Sequence, residues 1–347
     1  MKIVVLILSC FTSCVFAQTY YATNYLWAAP PAGYEGSTAV PMSETSLVSW
    51  ASGFTNLVYG DGVSEEWKTP ALSLGPAEGT IDDVVSLGRA GVITLSFPRG
   101  IRNGPGFDFA VFENSFSDGF LELAYVEVSS DGIYFVRFPH YSDEKDIIPG
   151  FYLYMTADYY FGLAGKYRGG FGTPFDLEEL AMAAEAIALG QTDFTPEFIA
   201  EFSSAFAHLD LDAIRYVRLV DVVGNGNSPD ARGAPIYDPY STGDISAGFD
   251  LDAVGVINEM ALPESAIPLL QLAYTNETLT LRYAYDQNWF EEPALEFSTN
   301  LVDWSRVPPS TNGVKTHGDI HSVITEVDGE LHAAGFYRLL LPPVTGD

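Results

Sequence analysis

From Val84 to Ile257 the chain alternates short apolar, β-branched and aromatic runs with turn sequences, and this punctuation constrains the fold more than any other feature. Gly91 to Phe97, Phe107 to Asn114, Leu121 to Val128, Ile133 to Phe138, Ile214 to Val223 and Phe249 to Ile257 each have the length and composition of a strand. Asn103 to Gly106 and Ser129 to Gly132 interrupt them with turn residues, because glycine accepts the positive φ that tight reversals need. An Asp131-Gly132 pair between two such runs predicts a hairpin. Many strands and few helices point to packed antiparallel sheets. Aromatic residues make up 14% of the chain, which suits the pleated, half-buried surface of a sheet.

Helical texture is confined to one region. Asp176 to Leu189 is rich in Ala, Glu and Leu and ends at Gly190, a suitable C-cap. Thr195, Pro196 and Glu197 then open a second helix reaching about His208, with Thr as N-cap and Pro at the first helical position. The expected fold is mainly β: a jelly-roll-like β-sandwich over 18–260 with a short helical insertion at about 176–208, followed by a small all-β module at 266–347. Residues 18 to about 75, 141–175 and 224–247 read as mostly loop. Strands of the C-terminal module are expected near Leu269–Tyr274, Thr278–Tyr285, Ala294–Ser298 and Phe336–Leu341.

Met1 and Lys2 precede an apolar run from Ile3 to Val15, and Val15-Phe16-Ala17 reads as a cleavage site, so residues 1–17 are expected to be a secretory signal peptide. The run is shorter than the roughly 20 residues a bilayer-spanning helix needs. Both cysteines, Cys10 and Cys14, lie inside it, so thiol chemistry and disulfides are not expected in the processed chain. A net charge of −30 disfavours nucleic acid and anionic lipid as partners and attracts divalent cations. It equally keeps an extracellular protein soluble.

Four constellations are candidates for chemistry. Asp250 and Asp252 lie two apart on a strand, so both carboxylates should project from one face while Phe249, Leu251 and Ala253 face the core. Such a pair suits calcium, which takes six to eight oxygen ligands, or a solvated strand face. Asp221, Asn225, Asn227 and Asp230 form an oxygen-rich loop that could ring a cation, although these residues also favour turns unaided. Glu113 and Asn114 end a very apolar strand and could face a cleft or simply terminate it. Lys166, Tyr167 and Arg168 sit among glycines and could bind a ligand carboxylate or sugar hydroxyls, or pair with the many acids. Phosphate loops, dinucleotide fingerprints, Gly-x-Ser-x-Gly elbows and His-Glu-x-x-His helices do not occur. A carboxylate pair could still serve a glycosidase, with Glu113 and Asp250 the first to test.

The runs Phe107 to Asn114, Glu122 to Gly132, Ala164 to Arg168, Gly172 to Leu177, Val217 to Gly224 and Gly248 to Ile257 resemble a family of bacterial secreted and cell-surface proteins, usually of unassigned function. The texture is also similar to galactose-binding-like jelly rolls, where a structural calcium often sits beside the closing strand. Leu295 to Ser305 and Gly335 to Leu339 resemble a C-terminal attachment module of secreted proteins of the Verrucomicrobia and their relatives. The signal, the aromatic-rich loops and the Asp250/Asp252 pair together lead to the expectation of a secreted or cell-surface binding module, for carbohydrate or another small ligand, with structural calcium, and the absent enzyme motifs to the expectation of no catalytic activity. Tyr154, Tyr159, Tyr160, Tyr167 and Tyr240 are the rings offered for sugar stacking. A structural or adhesive envelope protein is the alternative, and a polysaccharide hydrolase the third reading.

Overall fold

The computed structural model describes residues 29–260 apart from 152, 242 and 244, and beyond 260 the segments 271–275, 278–286, 294–298, 305–307, 314–317, 320–328 and 336–340. The expected signal peptide, with Cys10 and Cys14, lies outside the described residues. The chain divides into two compact units, Met1–Met260 and Ala261–Asp347.

The first unit is built from strands β1 (Val40–Pro41), β2 (Ser49–Trp50), β3 (Gly53–Val58), β4 (Val85–Ser86), β5 (Val92–Ile101), β6 (Phe109–Glu113), β7 (Ala124–Ser129) and β8 (Val136–Arg137). They continue as β9 (Tyr141–Ser142), β10 (Tyr160–Phe161), β11 (Leu163–Ala164), β12 (Phe171–Phe175), β13 (Ile214–Asp221), β14 (Asn225–Pro229), β15 (Pro235–Tyr237) and β16 (Asp250–Val256). One antiparallel sheet runs β1-β12-β6-β16-β2, with β4 also on β16. The other runs β11-β7-β13-β5-β3, with β8 on β7. Phe109, Val111, Leu251, Val254 and Val256 from the first sheet share one core with Ile93, Leu95, Val126, Val128, Val217 and Leu219 from the second. The architecture is therefore mainly β, a jelly-roll-like sandwich. Ala110 and Phe112, on the other face of β6, are covered by Val40, Leu47 and Trp50, which is why that strand is buried on both sides. Burial of this kind stabilises by roughly 25 cal/mol per Å² of apolar surface.

Helices α1 (Glu178–Ala188) and α2 (Pro196–Phe206) are the insertion. Thr195 Oγ1 accepts from Phe198 N at 3.1 Å, the N-cap the sequence predicts. Gly190, at φ +64°, ends α1. Phe194, just before α2, and Phe198, Phe202 and Phe206 along it form a continuous aromatic row, with neighbouring ring centroids 5.0–5.9 Å apart.

Several expectations need correction. The segment 141–175 is not one long loop: it contributes β9 to β12, and β12 is a central part of the first sheet. The 224–247 loop contains the β14–β15 hairpin. The return strand after Asp131-Gly132 is only β8, because the Asp131 carboxylate accepts from both Ile133 N and Tyr134 N and holds those residues in a wider loop. A register shift between Leu251 and Ala253 bulges β16, so Ala253 joins the outer cluster rather than the core that holds Leu251.

In the second unit β17 (Gln271–Thr275), β18 (Thr278–Asp286), β19 (Ala294–Ser298), β20 (Ser305–Arg306), β21 (Val314–His317), β22 (Ile320–Asp328) and β23 (Phe336–Leu340) form two antiparallel sheets. Their orders are β17-β18-β22-β21 and β20-β19-β23. Among the described residues no helix is long and apolar enough to cross a membrane.

Candidate functional site

Antiparallel strands bring alternate ends together, and here the ends that meet carry acids. Glu113 closes β6, Asp250 opens β16, Asp221 closes β13, Glu122 lies just before β7 and Asp238 just after β15. All five side chains are buried. Asp221 is fully engaged: Oδ1 accepts from Phe249 N and Oδ2 from Ala90 N, both at 2.7 Å. Asp238 Oδ2 accepts from Leu123 N at 3.1 Å. Glu113 Oε2 accepts from Ser115 N at 2.8 Å. Two oxygens are left over: Glu113 Oε1 and Asp250 Oδ1 are buried without a hydrogen-bond partner. An unsatisfied buried acceptor costs about 1–3 kcal/mol, more when charged.

Two glycines make these positions possible. Gly248 has φ +76°, and a Cβ there would stand 2.7 Å from Asp221 Oδ1. At Gly224, also at positive φ, a Cβ would stand 1.7 Å from Asp238 Oδ1.

Burial dominates the electrostatics. It pushes Asp250 up to about 7, opposed by the polar side chains of Ser86 and Asn114. It pushes Asp221 up to about 8, against its two backbone donors. Glu113 and Glu122 are raised well above the usual carboxylate range, first by burial and then by the charge of Asp250; Glu122 also feels Glu113, Asp238 and Asp221. Asp238 is raised by burial and by Asp221. Arg89 opposes the rise at Asp221 through its positive charge. Five carboxyls in this setting cannot all ionise without a counter-charge.

A cleft of about 350 Å³ opens on two of them, Glu122 and Asp250. Glu122, Asp250, Asn114 and Ser115 supply its polar lining. Trp67, Phe116, Phe120 and Phe151 supply its aromatic lining. Phe116 and Phe120 stack at 5.0 Å, and Phe120 and Phe151 at 6.0 Å. Phe116 and Phe151 are exposed, at 57% and 68%, which leaves their faces open to a ligand.

The residues singled out from sequence distribute unevenly over this site. Asn114 and Asp250 line the cleft, and Glu113 and Asp221 are near enough to feel the charge of Asp250. Asp252 does not join them through hydrogen bonds: it is buried, and its oxygens accept from Glu78 N at 3.0 Å and Gly79 N at 2.9 Å. Asp230 closes its own turn through Arg232 N and Ala234 N. Asn225 Oδ1 accepts from Asn227 N, so this pair also serves local turn geometry. Lys166, Tyr167 and Arg168 diverge. Lys166 Nζ donates to Tyr160 O at 2.8 Å, Tyr167 Oη meets Thr38 Oγ1 at 2.9 Å, and Arg168 pairs with Asp118 at 2.7 Å. Of the tyrosines offered for stacking, Tyr160 and Tyr167 are buried, whereas Tyr154, Tyr159 and Tyr240 are exposed. Glu122, Asp238, Trp67 and the three phenylalanines escaped the sequence reading. The one available signal was Glu122, an acid between Leu121 and Leu123 in an otherwise apolar run.

Among the described residues no group of three or more His, Cys, Asp or Glu side chains converges closely enough to hold a metal ion as placed. The donor chemistry nevertheless fits calcium: only oxygens are offered, and two carboxylates carry unpartnered atoms. No family model matches the chain, no curated protein is significantly similar to it, and no solved structure is significantly similar to it.

Proposed function

We propose that the chain is a secreted or cell-surface binding protein whose cleft takes a small polar ligand, with carbohydrate as the class. The observation that carries this reading is the open aromatic lining of Phe116 and Phe151 beside a floor of buried carboxyls and the Asn114 amide. Aromatic faces accept the apolar face of a sugar ring, while Asp250, Glu122 and Asn114 offer acceptors and a donor to its hydroxyls. The charge beneath the cleft is neutralised by protons in acid solution and by calcium near neutrality and above. Glu113, Glu122 and Asp250 do not converge on one point as placed, so holding the ion would require these three side chains to draw together, with water and backbone oxygens completing its shell. Calcium would fix the carboxylates and present a charged floor to ligand hydroxyls.

Titrating a panel of mono- and oligosaccharides by calorimetry, with calcium present, tests the reading. Phe116→Ala and Phe151→Ala should each weaken binding, by roughly 1–2 kcal/mol for a lost stacking face, and leave the melting temperature nearly unchanged because both rings are exposed. A panel without any binding, or binding indifferent to both substitutions, contradicts it.

One observation favours a second reading, polysaccharide hydrolysis. Asp250, pushed up to about 7 in an open cleft, has the protonation state a general acid needs. Asp250→Asn would then abolish turnover of a chromogenic glycoside while sparing calcium-independent binding; a wild-type protein inert on a broad glycoside panel discards this reading.

A further inference from the structure

A second cavity, of about 240 Å³, lies away from the acid-floored cleft and shares no residue with it. Its walls include Phe107, Phe161 and Pro174, with Thr38, Thr173, Glu179 and Lys166 as polar members. Lys166 is only 5% exposed. Its Nζ donates to Tyr160 O at 2.8 Å and lies 5.2 Å from the Tyr167 ring, and among the described residues it makes no ion pair. Thr173 Oγ1 is buried without a hydrogen-bond partner. A buried amine, an unspent hydroxyl and aromatic walls therefore meet in one small cavity.

We propose that this cavity is a site for a small aldehyde or ketone with an apolar body, captured by Lys166 as an imine. The walls favour a neutral carbonyl compound over an anion, because Glu179 stands in the cavity and Asp158 and Glu179 both act on Lys166. Burial supports the chemistry by lowering the amine to about 7, against the opposing pull of those two carboxylates, so the nucleophilic neutral form is available near neutrality. The Lys166 nitrogen adds to the carbonyl carbon, and its two protons leave with the carbonyl oxygen as water. The C=N bond remains, and the nitrogen takes a proton from solvent, giving a cation that the Glu179 carboxylate offsets. Thr173 Oγ1 is the available donor to the carbonyl oxygen as it leaves. Phe107 and Phe161 cover the apolar body.

The lysines of the chain are Lys2, Lys68, Lys145, Lys166 and Lys315, few enough to follow one by one. The folded protein is treated with benzaldehyde and sodium cyanoborohydride at neutral pH, and benzylation at each lysine is timed by peptide mass spectrometry. Lys166 should react at least about tenfold faster than Lys68, Lys145 and Lys315, since ordinary lysines with pKa about 10.4 are almost wholly protonated there. The advantage should disappear in urea, and Thr173→Val should slow Lys166 alone. A Lys166 that stays unlabelled in the folded protein, or reacts no faster than the other lysines, overturns the proposal.

Discussion

At Asp221 both carboxylate oxygens are taken by backbone donors, those of Ala90 and Phe249, so the side chain ties the end of β13 to the start of β16 and to the turn before β5. Asp221→Ala leaves two buried N–H groups orphaned and should cost roughly 2–4 kcal/mol, read from urea unfolding. Gly248→Ala should cost roughly 1–3 kcal/mol, because it forces a Cβ into a positive-φ position against Asp221. An unchanged urea midpoint for either variant would show that the brace carries no load. Asp250 was legible from its strand and its spacing to Asp252, but the pairing of their roles was not. The bulge at 251–253 separates them, and it depends on the register with β6, which no local pattern encodes. Glu122 and Asp238 were less legible still. Their importance comes from burial beside acids distant in sequence, and a lone acid in an apolar run identifies no partner.

Among the elements, α2 is written almost entirely in local sequence. Its start depends on Thr195 and Pro196, and its buried face on a Phe repeat at four-residue spacing. Thr195→Ala should therefore cost about 1 kcal/mol, and Phe202→Ala roughly 3–5 kcal/mol, both measurable by chemical denaturation. Equal losses for the two would contradict the placement of Phe202 in the core. The long strands β5, β6, β13 and β16 were legible for a comparable reason, since apolar runs bounded by turns fix them locally. The short strands β9 to β12 were not. β11 and β12 form because neighbours already in the sheets offer their backbones, as β6 does for β12, while β9 and β10 pair with each other, and glycine-rich, aromatic sequence such as 160–175 has no period that announces this.

Across the whole molecule, a net charge of −30 coexists with a sandwich that buries carboxyls rather than excluding them. Their folded pKa values lie above those of the unfolded chain, so the folded state binds more protons between the two. Without a cation, stability should be highest near the unfolded carboxylate range of about pH 4, and should fall as pH rises through about 7 and 8, where Asp250 and Asp221 ionise. Exposed carboxylates repelling one another on so acidic a surface act in the same direction, but added salt screens that part and not the buried one. The sequence made the acidity plain; that part of it is stored under a cleft became visible only once five strand ends were brought together.

The most direct measurement is thermal unfolding of the wild type and of Asp250→Asn at about pH 5 and about pH 8, each with calcium and with a chelator. In chelator the wild type should melt lower at the higher pH. Calcium at roughly a hundredfold excess over its dissociation constant should restore about 2.7 kcal/mol there, have little effect at the lower pH, and leave Asp250→Asn almost unmoved. A wild type indifferent to both calcium and pH would contradict the account, because the buried carboxyls beneath the cleft would then be neither proton-bound nor open to a cation.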